Sequence, residues 1–186
     1  LNAYVSPDPS CGFPRQGSTT DAIESTTLPV ARAELATLFT STGGALVDAR
    51  VATDPSLRPL TEKLSQFRAK HAALFEDTDR ITWIDPITGA RREPSSFDDA
   101  SAPAALACLR IGDDTVWTCY NGTNASINAV LPPTHHRHWI RVFDTSSTSS
   151  SSSSSSSSTF STVVAVPARS VSVCVSTPTT KTPSTP

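Results

Sequence analysis

Apolar positions along this chain follow two different periods, and the change of period divides it. Between residues 58 and 75, Leu60, Leu64, Phe67, His71 and Leu74 recur on one helical face, while Glu62, Lys63, Arg68 and Lys70 fall off that stripe. Pro59 suits the first turn, where its missing N–H would be unpaired in any case. A helix with one apolar face must dock that face on something. From 80 to 143 the period drops to two, which predicts strands over Arg80–Ile84, Ala104–Ile111, Thr115–Tyr120, Ala125–Leu131 and His138–Phe143. Gly112-Asp113-Asp114 and Asn121-Gly122-Thr123-Asn124 carry turn chemistry, and Pro132-Pro133 interrupts the pattern.

The alternation then stops. Ser146–Thr159 is almost pure serine, unbroken from Ser149 to Ser158, and the strand pattern resumes over Thr162–Val166 and Ser170–Val175. A serine run has no apolar area to offset chain entropy, so it is expected to be a disordered insertion joining two strands. Residues 1–55 are rich in Pro, Gly, Ser and Thr. They hold one helical candidate, with Pro29 in its first turn, Val30, Leu35, Leu38 and Phe39 apolar, and Gly43-Gly44 as its stop. The expected division is a poorly ordered segment or insertion over 1–57 and a helix with its connector over 58–79. An antiparallel β-sandwich follows over 80–176, with the disordered serine-rich insertion at 146–159, and 177–186 form a disordered Thr/Pro tail. The fold class is mainly β.

Composition changes this picture in one respect. The 186 residues include 28 serines and 25 threonines but no methionine, and position 1 is Leu1, so the chain is expected to be a piece of a longer polypeptide. A formal charge of −2 and a pI near 6.1 give no general attraction for nucleic acid or anionic membrane. No apolar run approaches the roughly 20 residues of a bilayer span. Neither nucleic acid nor membrane is therefore an expected partner.

Candidate chemistry is sparse. Cys11, Cys108, Cys119 and Cys174 are too widely spaced for a zinc ribbon or a redox pair. The last three lie in apolar strand-like runs, which favours free buried thiols over a disulfide among them. His135, His136 and His138 form a cluster in which His136 and His138 would point the same way on a strand and could share a metal. No nearby cysteine or carboxylate completes the ligand set, and a loop before a strand is the plainer reading. Asp98-Asp99 and Asp113-Asp114 sit in turn-like surroundings and read as solvated turn residues. Asn121-Gly122-Thr123 and Asn124-Ala125-Ser126 match the glycosylation sequon, as turn composition itself often does. No Gly-rich phosphate loop, GxSxG, HExxH or kinase signature occurs, so no catalytic residue, metal or cofactor is assigned. Trp83, Trp117 and Trp139 could contact glucan by stacking on sugar rings if exposed in one plane; in strand alternation, core packing is the competing reading.

The order of segments carries more than any one residue. LSQFRAKHAALF (64–75) precedes ITW (81–83), ALACLRI (105–111), TVWTCYNGTNASINAVLPP (115–133), HWIRVFDTS (138–146) and VAVPARSVSVCV (164–175). This series resembles the C-terminal end of isoamylase-type starch and glycogen debranching enzymes of the α-amylase superfamily. There, an aromatic-Asn pair ends a sandwich strand, Leu-Pro ends its hairpin partner, and a Pro-Ala-Arg-Ser turn introduces the final strand. The resemblance spans about residues 60–146 and 162–175. Ala72 stands where the family has proline, and the serine run is foreign to the bacterial relatives and suits a eukaryotic, green-algal parent.

The resemblance implies a C-terminal sandwich preceded by the last helix of a (β/α)8 barrel, packing on the upstream catalytic barrel of the same polypeptide. It implies a parent that hydrolyses α-1,6 branch points of starch or glycogen by a retaining two-carboxylate mechanism, and so meets α-glucan. The catalytic carboxylates of the family lie upstream, with no counterpart here. A plant or algal parent would be plastidial, any other cytoplasmic. Two rivals stand beside this reading: a stand-alone β-sandwich that binds glucan through its tryptophans, and a secreted Ser/Thr-rich structural glycoprotein.

Overall fold

The computed structural model describes residues 5–7, 14–16, 28–42, 54–76, 81–93, 104–134, 137–146, 159–160 and 162–178. In chain order these form strands β1 (Val5–Pro7) and β2 (Pro14–Gln16), then helices α1 (Leu28–Thr40), α2 (Arg58–Lys70) and α3 (Ala73–Glu76). Strands β3 (Ile81–Ile84), β4 (Arg91–Arg92), β5 (Ala105–Ile111), β6 (Thr115–Asn121) and β7 (Ile127–Val130) follow. The last are β8 (Arg137–Asp144), β9 (Thr159–Phe160), β10 (Val163–Val166) and β11 (Ser170–Pro178).

Helix α2 starts where Asp54 organises the chain. Its Oδ1 accepts from the Ser56 N–H and hydroxyl, its carbonyl accepts from the Leu57 and Arg58 N–H groups, and Pro59 occupies the first turn. The periodicity predicts one helix to residue 75, but it breaks at His71, whose N–H bonds back to the Phe67 carbonyl before α3 begins. At the far end of α1, Arg68 of α2 donates to the carbonyls of Phe39 (2.7 Å) and Ser41 (2.9 Å). A guanidinium there satisfies carbonyls that a helix leaves without intrahelical donors and complements its negative end.

Seven strands form one antiparallel sheet in the order β4-β3-β5-β6-β11-β8-β9, while β7 and β10 pair as a separate ribbon. The two-residue alternation assigns each face. Cys108, Val116, Tyr120, Phe143, Val171, Val173 and Val175 point to the helices, in one core with Leu35, Phe39, Leu64, Phe67, Leu74 and Phe75. Ala107, Trp117, Cys119, Trp139 and Cys174 point the other way, onto Ala129, Leu131, Val164 and Val166. The architecture is thus helices, large sheet and ribbon in three layers. The middle strand β6 is covered on both sides, and every residue from Val116 to Asn121 is buried. Burial on both faces accounts for the apolar weight of TVWTCY, in which even Thr118 is fully buried.

The helical stripe therefore finds its partner within the chain. Leu64, Phe67, His71 and Leu74 are buried against this sheet, and the stripe is not left for a barrel to cover. The helical candidate expected within 1–57 is α1, running Leu28–Thr40. Helix α1 belongs to the helix-side core, and β1 pairs with β2. Its sequence signal was weak because Ala31 and Ala36, both buried, pack closely without standing out as hydrophobic.

A register shift between Val173 and Cys174 in the β11–β8 pair places Phe143 opposite Val173 and Arg141 opposite Cys174. Val142 is the extra residue of this bulge, and both it and Phe143 pack on the helix side. Strand β9 pairs with β8, so the serine-rich stretch connects two neighbouring antiparallel strands. Thr159, assigned to the insertion by sequence, is in β9; residues 147–158 and 179–186 lie outside the described residues.

Candidate functional site

Two polar constellations interrupt these apolar layers. The first is a corner at the end of β6. The Asn121 Oδ1 accepts from the Thr123 N–H (3.0 Å) and hydroxyl (2.7 Å). Its Nδ2 donates to the carbonyls of Ala125 (2.9 Å), Val166 (3.1 Å) and Pro167 (2.8 Å). An amide both accepts and donates, which is what a buried junction between two turns requires. Arg169, in the second turn, adopts a left-handed φ of 51°. Its N–H donates to the Thr123 carbonyl and its Nε to Asn124 Oδ1 (2.9 Å). The aromatic-Asn and Pro-Ala-Arg-Ser segments, far apart in sequence, meet here as one hydrogen-bonded unit.

The second constellation lies between helices and sheet. Tyr120 shares a 3.0 Å hydrogen bond with the Thr40 hydroxyl of α1, and burial raises its phenol well above the ordinary value. Arg110 is 1% exposed, donates through Nη1 to the Cys108 sulfur (2.9 Å), and stands 5.0 Å over the Phe75 ring. Arg68 approaches that ring at the same 5.0 Å. At the end of this seam His71 Nδ1 is 3.5 Å from Asp114 Oδ2, linking the helices to the β5–β6 turn. Burial pushes the His71 pKa down, outweighing the attraction of Asp114. Thr40, Tyr120 and Arg110 carried no candidate role in the sequence, although Arg110 left a signal. It sits in ALACLRI two positions from Cys108, on the inward face of a strand otherwise apolar there.

The sequence-assigned candidates separate sharply. Trp117 is 0% and Trp139 1% exposed, both in the core under the ribbon, so neither ring offers a face to a sugar in this chain. For these two, glucan stacking gives way to packing. Trp139 also donates its Nε1–H to the Pro132 carbonyl at 2.9 Å, whereas Trp117 Nε1 has no partner among the described residues. Trp83 is half-buried in β3, against the edge of the helix-side core.

Cys108, Cys119 and Cys174 are free and buried. Burial raises the Cys119 thiol far above its ordinary range and pushes Cys174 up to about 12, so neither is a nucleophile at neutral pH. His138 is exposed; His135, His136, Asp98, Asp99 and Cys11 lie outside the described residues. Among the described residues no group of three or more His, Cys, Asp or Glu side chains is placed to hold a metal ion. Asp113 and Asp114 belong to a turn, as their sequence suggests, with Asp114 engaged by His71. No described helix is long and apolar enough to cross a membrane. The chemistry of both constellations is that of structural ties.

No protein-family model matches the sequence, and no curated protein does. Solved structures do resemble the fold. An alpha-amylase from Anoxybacillus matches with a TM-score of 0.52 and 14% identity over 88% of this chain and 36% of its own. An alpha-amylase from H. orenii matches with a TM-score of 0.38 and 14% identity, covering 63% of this chain and 20% of that one. The trehalulose synthase of Pseudomonas mesoacidophila gives 0.42 and 17%, covering 69% and 19%. At such identities the likeness is one of fold. The chain is mainly antiparallel β with a few helices, and it shares the fold of a part of the Anoxybacillus alpha-amylase, spanning about a third of that enzyme's length.

Proposed function

We propose that this chain is the non-catalytic C-terminal region of an α-amylase-superfamily glycoside hydrolase of isoamylase type, whose parent acts on α-1,6 branch points of starch or glycogen. The observation that carries the reading is the Asn121–Arg169 corner. Two of the segments that resemble the debranching enzymes are held together there by hydrogen bonds through Asn121, Thr123 and Arg169. The fold likeness to part of an alpha-amylase supports the superfamily level of the reading. The debranching level rests on the sequence segments.

On this reading the work of the chain is mechanical. The catalytic pair of a retaining glycosidase, two carboxyl groups about 5 Å apart, belongs to the upstream barrel. The helices, sheet and ribbon form a body that stabilises that barrel from its C-terminal flank. Extending the polypeptide upstream tests the proposal: the extended protein should release reducing ends from α-1,6-branched glucan. An extended protein with no barrel, or one that leaves branch points intact, would remove the debranching assignment.

A further inference from the structure

We propose that Asn124 is the N-glycosylation acceptor of this chain wherever it passes an oligosaccharyltransferase, and that the fold closes the neighbouring sequon at Asn121. The inference stands apart from the glycosidase reading. The chain has two sequons, Asn121-Gly122-Thr123 and Asn124-Ala125-Ser126, three residues apart in one turn. Both match the acceptor pattern, and the structure separates them.

Asn121 is 2% exposed, and its Nδ2 is directed at three carbonyls within 3.1 Å. A glycan on that nitrogen would replace one of its two hydrogens and force a bulky sugar between two packed turns. Asn124, Ala125 and Ser126 are all exposed. The orientation of the Asn124 amide is fixed by its partner: an arginine Nε–H only donates, so the atom facing it at 2.9 Å is Oδ1 and the amide nitrogen is the other arm. Arg169 thus holds the acceptor side of the amide and leaves the nucleophilic side free.

The donor is a polyprenyl-pyrophosphate-linked oligosaccharide. The Asn124 Nδ2–C1 bond forms as the C1–O bond to pyrophosphate breaks; the lipid pyrophosphate leaves with the electron pair and the amide proton passes to base. Cys108, Cys119 and Cys174 are compatible with such a route, because their burial shields them from an oxidising compartment.

The test is to secrete the full 186-residue chain from a eukaryotic host behind a cleavable signal peptide. Enzymatic deglycosylation in heavy-oxygen water, followed by peptide mass mapping, then marks the modified asparagine. The proposal expects a single glycan at Asn124, lost in Ser126→Ala, a variant that leaves the Asn124–Arg169 bond untouched. A secreted chain with no glycan, or with the label at Asn121, overturns it.

Discussion

Asn121→Asp, the product that deamidation of the Asn121-Gly122 pair would also give, probes the corner directly. The change is nearly isosteric, so what it removes is the donor. Three carbonyls now receive from Nδ2. Two N–H groups serve them, and losing two buried hydrogen bonds costs about 1 kcal/mol each. A carboxylate facing those carbonyls at 2% exposure adds about 1–3 kcal/mol. The sum, about 3–5 kcal/mol, is a large share of the 5–15 kcal/mol typical of a domain. Because the new carboxyl is buried facing carbonyl oxygens, its folded pKa lies above the unfolded value near 3.9. The folded variant therefore holds its proton to higher pH than the unfolded chain, and its deficit grows as pH rises through that raised value. Urea unfolding of native chain, Asn121→Asp and the exposed control Asn124→Asp, at pH 7 and pH 4, reads both effects. The gap should be wide at pH 7 and narrower at pH 4. An Asn121→Asp chain as stable at pH 7 as the Asn124→Asp control would refute the corner's structural role.

The remaining predictions concern the two cores and the seam. Trp139→Phe should cost more than Trp117→Phe, by about 1–3 kcal/mol in denaturant midpoints converted to free energy, because only Trp139 loses an indole bond and orphans the Pro132 carbonyl. Equal losses would mean that the bond contributes nothing. His71 is held neutral by burial, with its folded pKa below the unfolded 6.5, so stability is present above that value and falls as pH drops below it. His71→Gln should flatten this part of the pH–stability curve, and an unchanged slope would locate the titration elsewhere. In native buffer, Cys108, Cys119 and Cys174 should resist a thiol reagent that labels them fully in denaturant, as mapped by peptide mass. Rapid native labelling of any of the three would contradict the buried core.

Much of this fold was legible because periodicity reports burial on one side. The α2 stripe and the strands β5, β6, β8, β10 and β11 each show their faces in sequence order. What the pattern could not say was what lay opposite. The stripe containing Leu64 and Phe67 fits a neighbouring barrel as well as this sheet, since apolar area does not name its partner. Strands β4 and β9, two residues each, are too short for any period to register. Trp117 and Trp139 illustrate the same limit: an indole reads alike in core and on platform, and only the ribbon formed by β7 and β10 decides. Arg110 was missed for a related reason, as a charged residue in a strand normally signals the exposed face.

In the proposed role the chain completes a branch-cleaving α-amylase-superfamily enzyme without supplying its chemistry. The most direct measurement compares reducing-end release from α-1,6-branched glucan by the full parent polypeptide and by the 186-residue chain alone. Debranching by the parent and none by the chain is the expected result. Hydrolysis by the chain alone, or a parent that leaves α-1,6 bonds intact, would contradict it.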